Sequence, residues 1–96
     1  MEYRIYNGVG YLRLDRGDLV IASVLDFCRR ENVASAIFSG LGGCDFAEIK
    51  TFDPENKTYG SRTLSGMLEL VSLWGDVTGD GNGGARAAYA RPVLLR

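Results

Sequence analysis

The chain has 96 residues, 46% of them hydrophobic and 24% charged, which is typical of a folded globular protein rather than of a disordered segment. This length has room for one modest hydrophobic core, so we expect a single domain over residues 1–96 and exclude two independent ones. The formal net charge of −1 excludes an overall positive field that would draw the chain onto nucleic acid. Any contact with DNA would need a local basic patch.

The N-terminal residues, MEYRIYNGVG, include charged side chains and no long apolar run. A secretory signal and a membrane span both require such a run, so neither is expected. The sequence therefore predicts a cytoplasmic protein that makes no contact with a membrane.

Cys28 and Cys44 are the two cysteines, and the chain has no histidine. A structural zinc site needs four such ligands at characteristic spacings, so no metal is expected. Cys28 occupies an apolar position of a predicted helix, where a buried thiol behaves as a small hydrophobe. Cys44 has no base nearby to activate it as a nucleophile, so we predict no catalytic residue and no cofactor.

The first predicted elements are two short strands between Tyr3 and Leu14. They flank Asn7-Gly8, a dipeptide favoured in hairpin turns that need positive φ. Next comes a helix over about residues 19–31, with Asp18 as its predicted N-cap. Its apolar stripe is formed by Val20, Ile21, Val24, Leu25, Phe27 and Cys28.

The polar side of the helix carries Ser23, Asp26, Arg29 and Arg30. Asp26 and Arg30 are four residues apart, which favours an ion pair on the helix surface. Two arginines near the C-terminal end complement the helix dipole, and we interpret both as solvated.

The glycine-rich segment SGLGG, residues 39–43, lies between two apolar runs that we predict to be strands. A dinucleotide-binding fingerprint would need a third glycine where Asp45 stands and a helix after it, and a Walker loop would need a terminal Lys-Ser or Lys-Thr pair. We therefore predict a tight turn between strands, with positive φ at one or more glycines.

The segment DPENKTYG, residues 53–60, predicts an exposed turn in which Pro54 presets the backbone. The dense apolar run TLSGMLELVSLWGDV, residues 63–77, predicts a central strand, and Gly66 marks a bulge or a close approach of backbone. One long helix packed against a mainly antiparallel sheet, an α+β fold, is the simplest architecture.

Glu69 is the most informative carboxylate because apolar residues surround it in the central run. It is either buried, with Arg62 as a candidate partner, or exposed on the wetter face of the strand; both interpretations stay open. The C-terminal stretch ARAAYARPVLLR contains Arg86, Arg91 and Arg96, which are candidate phosphate-binding residues. A merely solvated tail is the alternative.

Several short motifs occur together in a fixed order. They are Arg13-Leu14, Gly17-Asp18, the Ser-Gly-Leu-Gly of residues 39–42, Asp53-Pro54, and the Gly-x-x-Glu-Leu-x-Ser-Leu-x-Gly of residues 66–75 with Glu69 in place. In this order and spacing the chain resembles the PPC domain, also called DUF296, the plant and prokaryote conserved domain. The resemblance covers residues 13–77.

This resemblance implies an α/β fold with an antiparallel sheet, assembled as a homotrimer. In plant members the domain follows an AT-hook and mediates association with itself and with transcription factors. In prokaryotes it stands alone and is described as a predicted DNA-binding protein. The Arg-Gly-Arg-Pro core of an AT-hook is absent from this chain.

The C-terminal residues depart from the family pattern. Family members continue after the loop that follows Gly75 with a strand bearing a His-x-His pair, whereas this chain has no histidine. We therefore interpret residues 79–96 as a divergent tail, or as one truncated or shifted in frame, and expect edge strands of the sheet to be missing. Such a sheet exposes apolar surface that an oligomer would cover.

Three hypotheses for function follow. The first is a non-enzymatic oligomeric module, a homotrimer by family expectation, that is associated with DNA or regulation. The second is a small-ligand-binding protein, or an unrecognised enzyme, with a pocket between subunits. The third is a degenerate family member that retains only the fold. The ligand or interface residues for the second hypothesis are Ser39, Gly40, Gly42, Arg62 and Glu69.

Overall fold

The structure is a computed structural model that describes residues 1–79 and 85–95, with side chains described for residues 1–79 and 92–94. These residues form a mostly antiparallel β structure with one helix, which confirms the predicted α+β class. The elements in chain order are β1 (Glu2–Tyr6), β2 (Val9–Arg13), α1 (Val20–Arg30), β3 (Ala36–Asp53), β4 (Thr58–Gly79) and β5 (Ala85–Leu95). The strands form two sheets, β1-β2 and β3-β4-β5, so the predicted central strand is confirmed as β4.

The chain divides into two compact units. The first comprises Met1–Phe38 and Trp74–Ala90, and the second comprises Ser39–Leu73 and Arg91–Arg96. Few large apolar side chains are buried in either unit. Among the described side chains, the buried apolar residues are Cys28 and Val77 in the first unit and Leu68 and Leu73 in the second.

In the first unit, β1 and β2 form the predicted antiparallel hairpin. Tyr3 pairs with Leu12 and Tyr6 pairs with Val9, the last pair before the turn. Asn7 and Gly8 have φ values of 51° and 76°, the left-handed conformation that a two-residue hairpin turn requires. The turn predicted at Asn7-Gly8 is therefore confirmed.

Helix α1 lies within one residue of its predicted bounds, but its cap differs from the prediction. The N-cap residue is Leu19, whose side chain makes no capping hydrogen bond. The carboxylate of Asp18 instead accepts a hydrogen bond from the backbone N–H of Asp15 at 2.8 Å and lies 3.0 Å from the amino group of Met1. The prediction that Asp18 caps the helix is wrong because its side chain folds back onto the preceding turn.

One face of α1 packs against the hairpin. The ring of Phe27 meets the ring of Tyr3 edge-on, with centroids 4.9 Å apart. Cys28 is buried, as predicted, and Ser23 is buried too, which differs from the polar side predicted for it. The predicted ion pair between Asp26 and Arg30 is present at 3.0 Å on the exposed side.

The glycine-rich segment is not a turn. Strand β3 runs without interruption from Ala36 to Asp53, so the predicted reversal at residues 39–43 is wrong. Gly42 has a φ of 147°, which most residues avoid, and the glycines thus adjust a continuous strand locally instead of ending it. A Cβ on Gly43 would lie 3.9 Å from the carbonyl oxygen of Leu68, which places β3 beside β4 at this point.

The reversal between β3 and β4 occurs at the predicted Asp-Pro turn. The carboxylate of Asp53 accepts hydrogen bonds from the backbone N–H of Glu55 at 3.0 Å and from Nδ2 of Asn56 at 2.8 Å. Farther along β4, Gly66 has a φ of 114° and no atom within 4 Å of where a Cβ would lie. The positive φ of Gly66, and not a close approach of another part of the backbone, therefore accounts for a glycine at this position.

Candidate functional site

The predicted ligand or interface residues all lie in the second unit. Ser39, Gly40 and Gly42 are on β3, and Arg62 and Glu69 are on β4. Seven residues along an extended strand span about 23 Å, so the side chains of Arg62 and Glu69 do not meet within one chain. A site that uses both of them would need a second copy of the chain.

Glu69 is exposed, so of its two interpretations the structure of the single chain supports the solvated one. Side chains two residues apart in a strand point the same way, so Met67 and Val71 are the neighbours of Glu69 on its face of β4. Both neighbours are apolar. Met67 is 95% exposed and Val71 is 50% exposed. The carboxylate therefore lies in the middle of an apolar strip that is open to water.

We call the strip formed by Met67 and Val71 the association surface. Elsewhere in the second unit, Leu41, at 84% exposure, and Phe46, at 58%, both on β3, are further large apolar side chains open to water. Large apolar patches are uncommon on the surfaces of monomeric proteins, so exposed apolar side chains that lie together are candidates for contact with another molecule.

Glu48 on β3 has two polar neighbours in the second unit, Ser61 on β4 and Lys50 on β3. The hydroxyl of Ser61 donates a hydrogen bond to the carboxylate of Glu48 at 3.1 Å, and the ammonium of Lys50 lies 3.9 Å from the same carboxylate. All three side chains are exposed, and exposed ion pairs contribute little to stability. Of the two contacts, the hydrogen bond between Ser61 and Glu48 joins β4 to β3, whereas the ion pair lies within β3.

Metal-binding and thiol chemistry would depend on the acidic side chains and the two cysteines. Among the residues that the structure describes, no group of three Cys, Asp or Glu side chains is placed to hold a metal ion. Burial raises the pKa of the Cys28 thiol, which keeps it protonated and unreactive. Cys44 is half-buried on β3.

The predicted DNA-binding residues fall outside the described side chains. Arg86 and Arg91 lie on β5, whose backbone is described over Ala85–Leu95, and Arg96 lies beyond it. The sequence interpretation missed Arg4 and Tyr11, which are exposed cross-strand partners on the β1–β2 hairpin. The side chains of EYRIY and VGYLR alternate between the two faces of the hairpin. This alternation places Arg4 and Tyr11 together on the face opposite to that of Tyr3.

In the described part of the chain, no helix is both long enough and apolar enough to cross a membrane. Helix α1 has 11 residues. A membrane-spanning helix needs about 20 predominantly apolar residues.

Comparison with known proteins identifies a matching family model and a solved structure with a similar fold. The model of the Plants and Prokaryotes Conserved (PCC) domain, the PPC domain that the motifs resemble, matches residues 6–93. The match is wider than the residues 13–77 covered by the motifs and reaches into β5. No curated protein sequence matches the chain.

Among solved structures, the chain is similar to a putative DNA-binding protein from Bacteroides thetaiotaomicron. The TM-score is 0.82 at 18% sequence identity, and the alignment covers 98% of this chain and 73% of the other. At this identity the similarity establishes a shared fold.

Proposed function

The chain belongs to the Plants and Prokaryotes Conserved (PCC) domain family, and we propose that it is a non-enzymatic, self-associating module that works in contact with DNA. The proposal has two parts, self-association and DNA contact. A homotrimer is the assembly expected from the family resemblance. No catalytic arrangement emerged among the described side chains, so we propose binding and not chemistry.

The association surface is the observation that supports self-association. Met67 on this surface and Leu41 elsewhere in the second unit are almost fully exposed, whereas only Leu68 and Leu73 are buried apolar residues among the described side chains of that unit. Burying one such side chain contributes about 1.5–3 kcal/mol. Contact between copies of the chain would therefore supply apolar burial that the second unit lacks by itself.

Support for DNA contact comes from the similar structure, which is that of a putative DNA-binding protein. Because the net charge is −1, contact with phosphates must come from a local group of basic side chains. Arg4 in the first unit and Arg62 in the second unit are separate exposed candidates for such contacts, and no ion pair among the described side chains involves either of them.

Light scattering coupled to size-exclusion chromatography tests self-association. We expect a mass near three chains for the unaltered protein at micromolar concentration and a smaller mass for Met67→Glu, which places a charge on the association surface. Leu19→Glu is the matched control, because Leu19 is 71% exposed but lies in the first unit. A monomeric mass for the unaltered protein would refute this part of the proposal.

Titration of a labelled DNA duplex and a labelled single strand tests DNA contact. Binding should weaken steeply as salt rises, because phosphate contacts release counterions. Absence of binding to either DNA form at low salt would remove DNA from the proposal and leave self-association intact.

A ligand site between subunits is the second candidate, and the position of Glu69 favours it. Covering Met67 and Val71 would also remove water from the carboxylate between them, and a desolvated carboxylate needs a cationic or hydrogen-bonding partner. Arg62 of another copy, or a small cationic ligand, would meet this need. Glu69→Gln should then abolish stabilisation by such a ligand while sparing assembly, and unchanged stabilisation would exclude the role.

A further inference from the structure

The β1–β2 hairpin presents one face that no other described element covers. Residues opposite each other in an antiparallel pair point to the same side of the sheet, and successive residues alternate between sides. The face that contains Tyr3 and Gly10 meets Phe27 of α1. The other face, which we call the outer hairpin face, carries Glu2, Arg4, Tyr6, Val9, Tyr11 and Arg13.

We propose that the outer hairpin face binds single-stranded nucleic acid, with its tyrosine rings stacking on bases and its arginines contacting phosphates. The inference rests on the proposed DNA contact. It adds where on the chain the DNA binds and that the DNA is single-stranded. Neither the family match nor the similar structure supplies this location.

The two tyrosines are free to stack. Tyr6 is 70% exposed and Tyr11 is 61% exposed, and neither takes part in the ring contacts found among the described residues. Tyr6 pairs with Val9, so Tyr11 is its diagonal neighbour, at about 7–8 Å. Two exposed rings at this separation on a sheet suit consecutive unstacked bases, the mode in which sheet aromatics hold single strands.

The arginine side chains on the outer hairpin face favour the binding of an anion. Arg4 is the cross-strand partner of Tyr11, and no ion pair among the described side chains involves it. Arg13 lies 3.4 Å from the carboxylate of Glu2 and 3.6 Å from that of Asp15, with all three side chains at least half exposed. Exposed pairs of this kind are weak, so a phosphate can compete for the Arg13 guanidinium.

A depression of about 590 Å³ lies at the open end of the hairpin, lined by Met1, Glu2, Tyr3, Arg4, Tyr11, Leu12 and Arg13. Four of these residues, Glu2, Arg4, Tyr11 and Arg13, belong to the outer hairpin face, so the depression offers room for a sugar and phosphate next to that face. A duplex fits this face less well for two reasons. Its bases are already stacked on one another, and two arginines offer fewer phosphate contacts than duplex binding by charge alone requires.

Fluorescence anisotropy of the full chain with a labelled oligothymidine at low salt tests the inference. Tyr6→Ala and Tyr11→Ala should each weaken binding on the order of tenfold, whereas Tyr11→Phe should bind as the unaltered chain does, because it keeps the ring. Arg4→Ala should weaken binding and reduce the slope of log K against log salt by about 0.7. Glu2→Gln should strengthen binding, because it removes a carboxylate that competes with phosphate for Arg13.

Tyr59→Ala and Arg29→Ala are the matched controls, since both side chains are exposed and neither lies on the outer hairpin face. They should leave binding unchanged, and circular dichroism of every variant verifies the fold. DNA binding that survives the Tyr6, Tyr11 and Arg4 substitutions would overturn this site while leaving the proposed function intact. A same-length duplex that binds more tightly than the single strand would overturn the strand form. Failure of the unaltered chain to bind any DNA would refute both this inference and the proposed DNA contact.

Discussion

Gly10 on β2 lies against the ring of Phe27 on α1 so closely that a methyl group at residue 10 would overlap the ring. The same ring packs edge-on against Tyr3 on β1, with centroids 4.9 Å apart and planes at 85°. Phe27 therefore contacts both strands of the hairpin, and the absence of a side chain at residue 10 makes this contact possible. The position of the outer hairpin face depends on it.

Gly10→Ala should destabilise the protein by about 1–3 kcal/mol, the usual cost of adding a methyl group to a well-packed contact. Chemical denaturation measures the change in the free energy of unfolding. Gly43→Ala is the matched control, because a Cβ there would make only an ordinary contact at 3.9 Å. Equal effects of the two substitutions would show that the packing of Phe27 against Gly10 does not matter.

Tyr3 should titrate at higher pH than an exposed tyrosine. Its hydroxyl donates a hydrogen bond to the carboxylate of Glu31 at 3.0 Å, and this bond is the main reason that the pKa of Tyr3 is raised. A pKa that is higher in the folded state gives a contribution to stability that is complete below the unfolded pKa and lost as pH rises through the folded pKa. Ultraviolet titration should detect the late tyrosine, and Glu31→Gln should lower its pKa. An unaltered titration curve in that variant would contradict the contact.

The Asp53 turn should make the protein sensitive to acid. Hydrogen bonds from the Asn56 side chain and then from the backbone N–H groups of Glu55 and Asn56 lower the pKa of Asp53. A pKa lowered by folding gives stability that is present above the unfolded pKa and lost as pH falls through the folded pKa. Asp53→Asn should therefore flatten the acid limb of the curve of unfolding free energy against pH. An acid limb that is unchanged in Asp53→Asn would contradict this role of the turn.

The hairpin and the helix could be predicted from sequence because their signals are local. Asn7-Gly8 determines a two-residue turn by its own backbone preference, and the apolar stripe that contains Phe27 and Cys28 repeats at the helical period. The cap was missed because Asp18 had a competing partner in the N–H of Asp15. A capping preference describes the residue type alone, whereas in this chain the preceding turn offers the Asp18 carboxylate another hydrogen-bond donor.

The long strands were harder to predict, because glycine gives the same local signal whether a strand turns or continues. Gly42 takes a positive φ, as predicted, but the chain goes straight on because β3 pairs with β4 on both sides of it. That pairing depends on residues far apart in sequence. The same continuity puts Arg62 and Glu69 on one strand, too far apart to form the contact that the sequence suggested.

The two cysteines should differ in reactivity, which provides a test of the core of the first unit. Cys28 is 1% exposed and its thiol is kept protonated by burial, whereas Cys44 is half-buried. Alkylation of the folded protein followed by mass spectrometry should modify Cys44 first and Cys28 only after denaturant is added. Cys28→Ser should cost about 1–3 kcal/mol of unfolding free energy, because it buries a polar hydroxyl in place of an apolar thiol, and Cys28→Ala should cost less. Rapid modification of Cys28 in the folded protein would show that α1 does not bury this face.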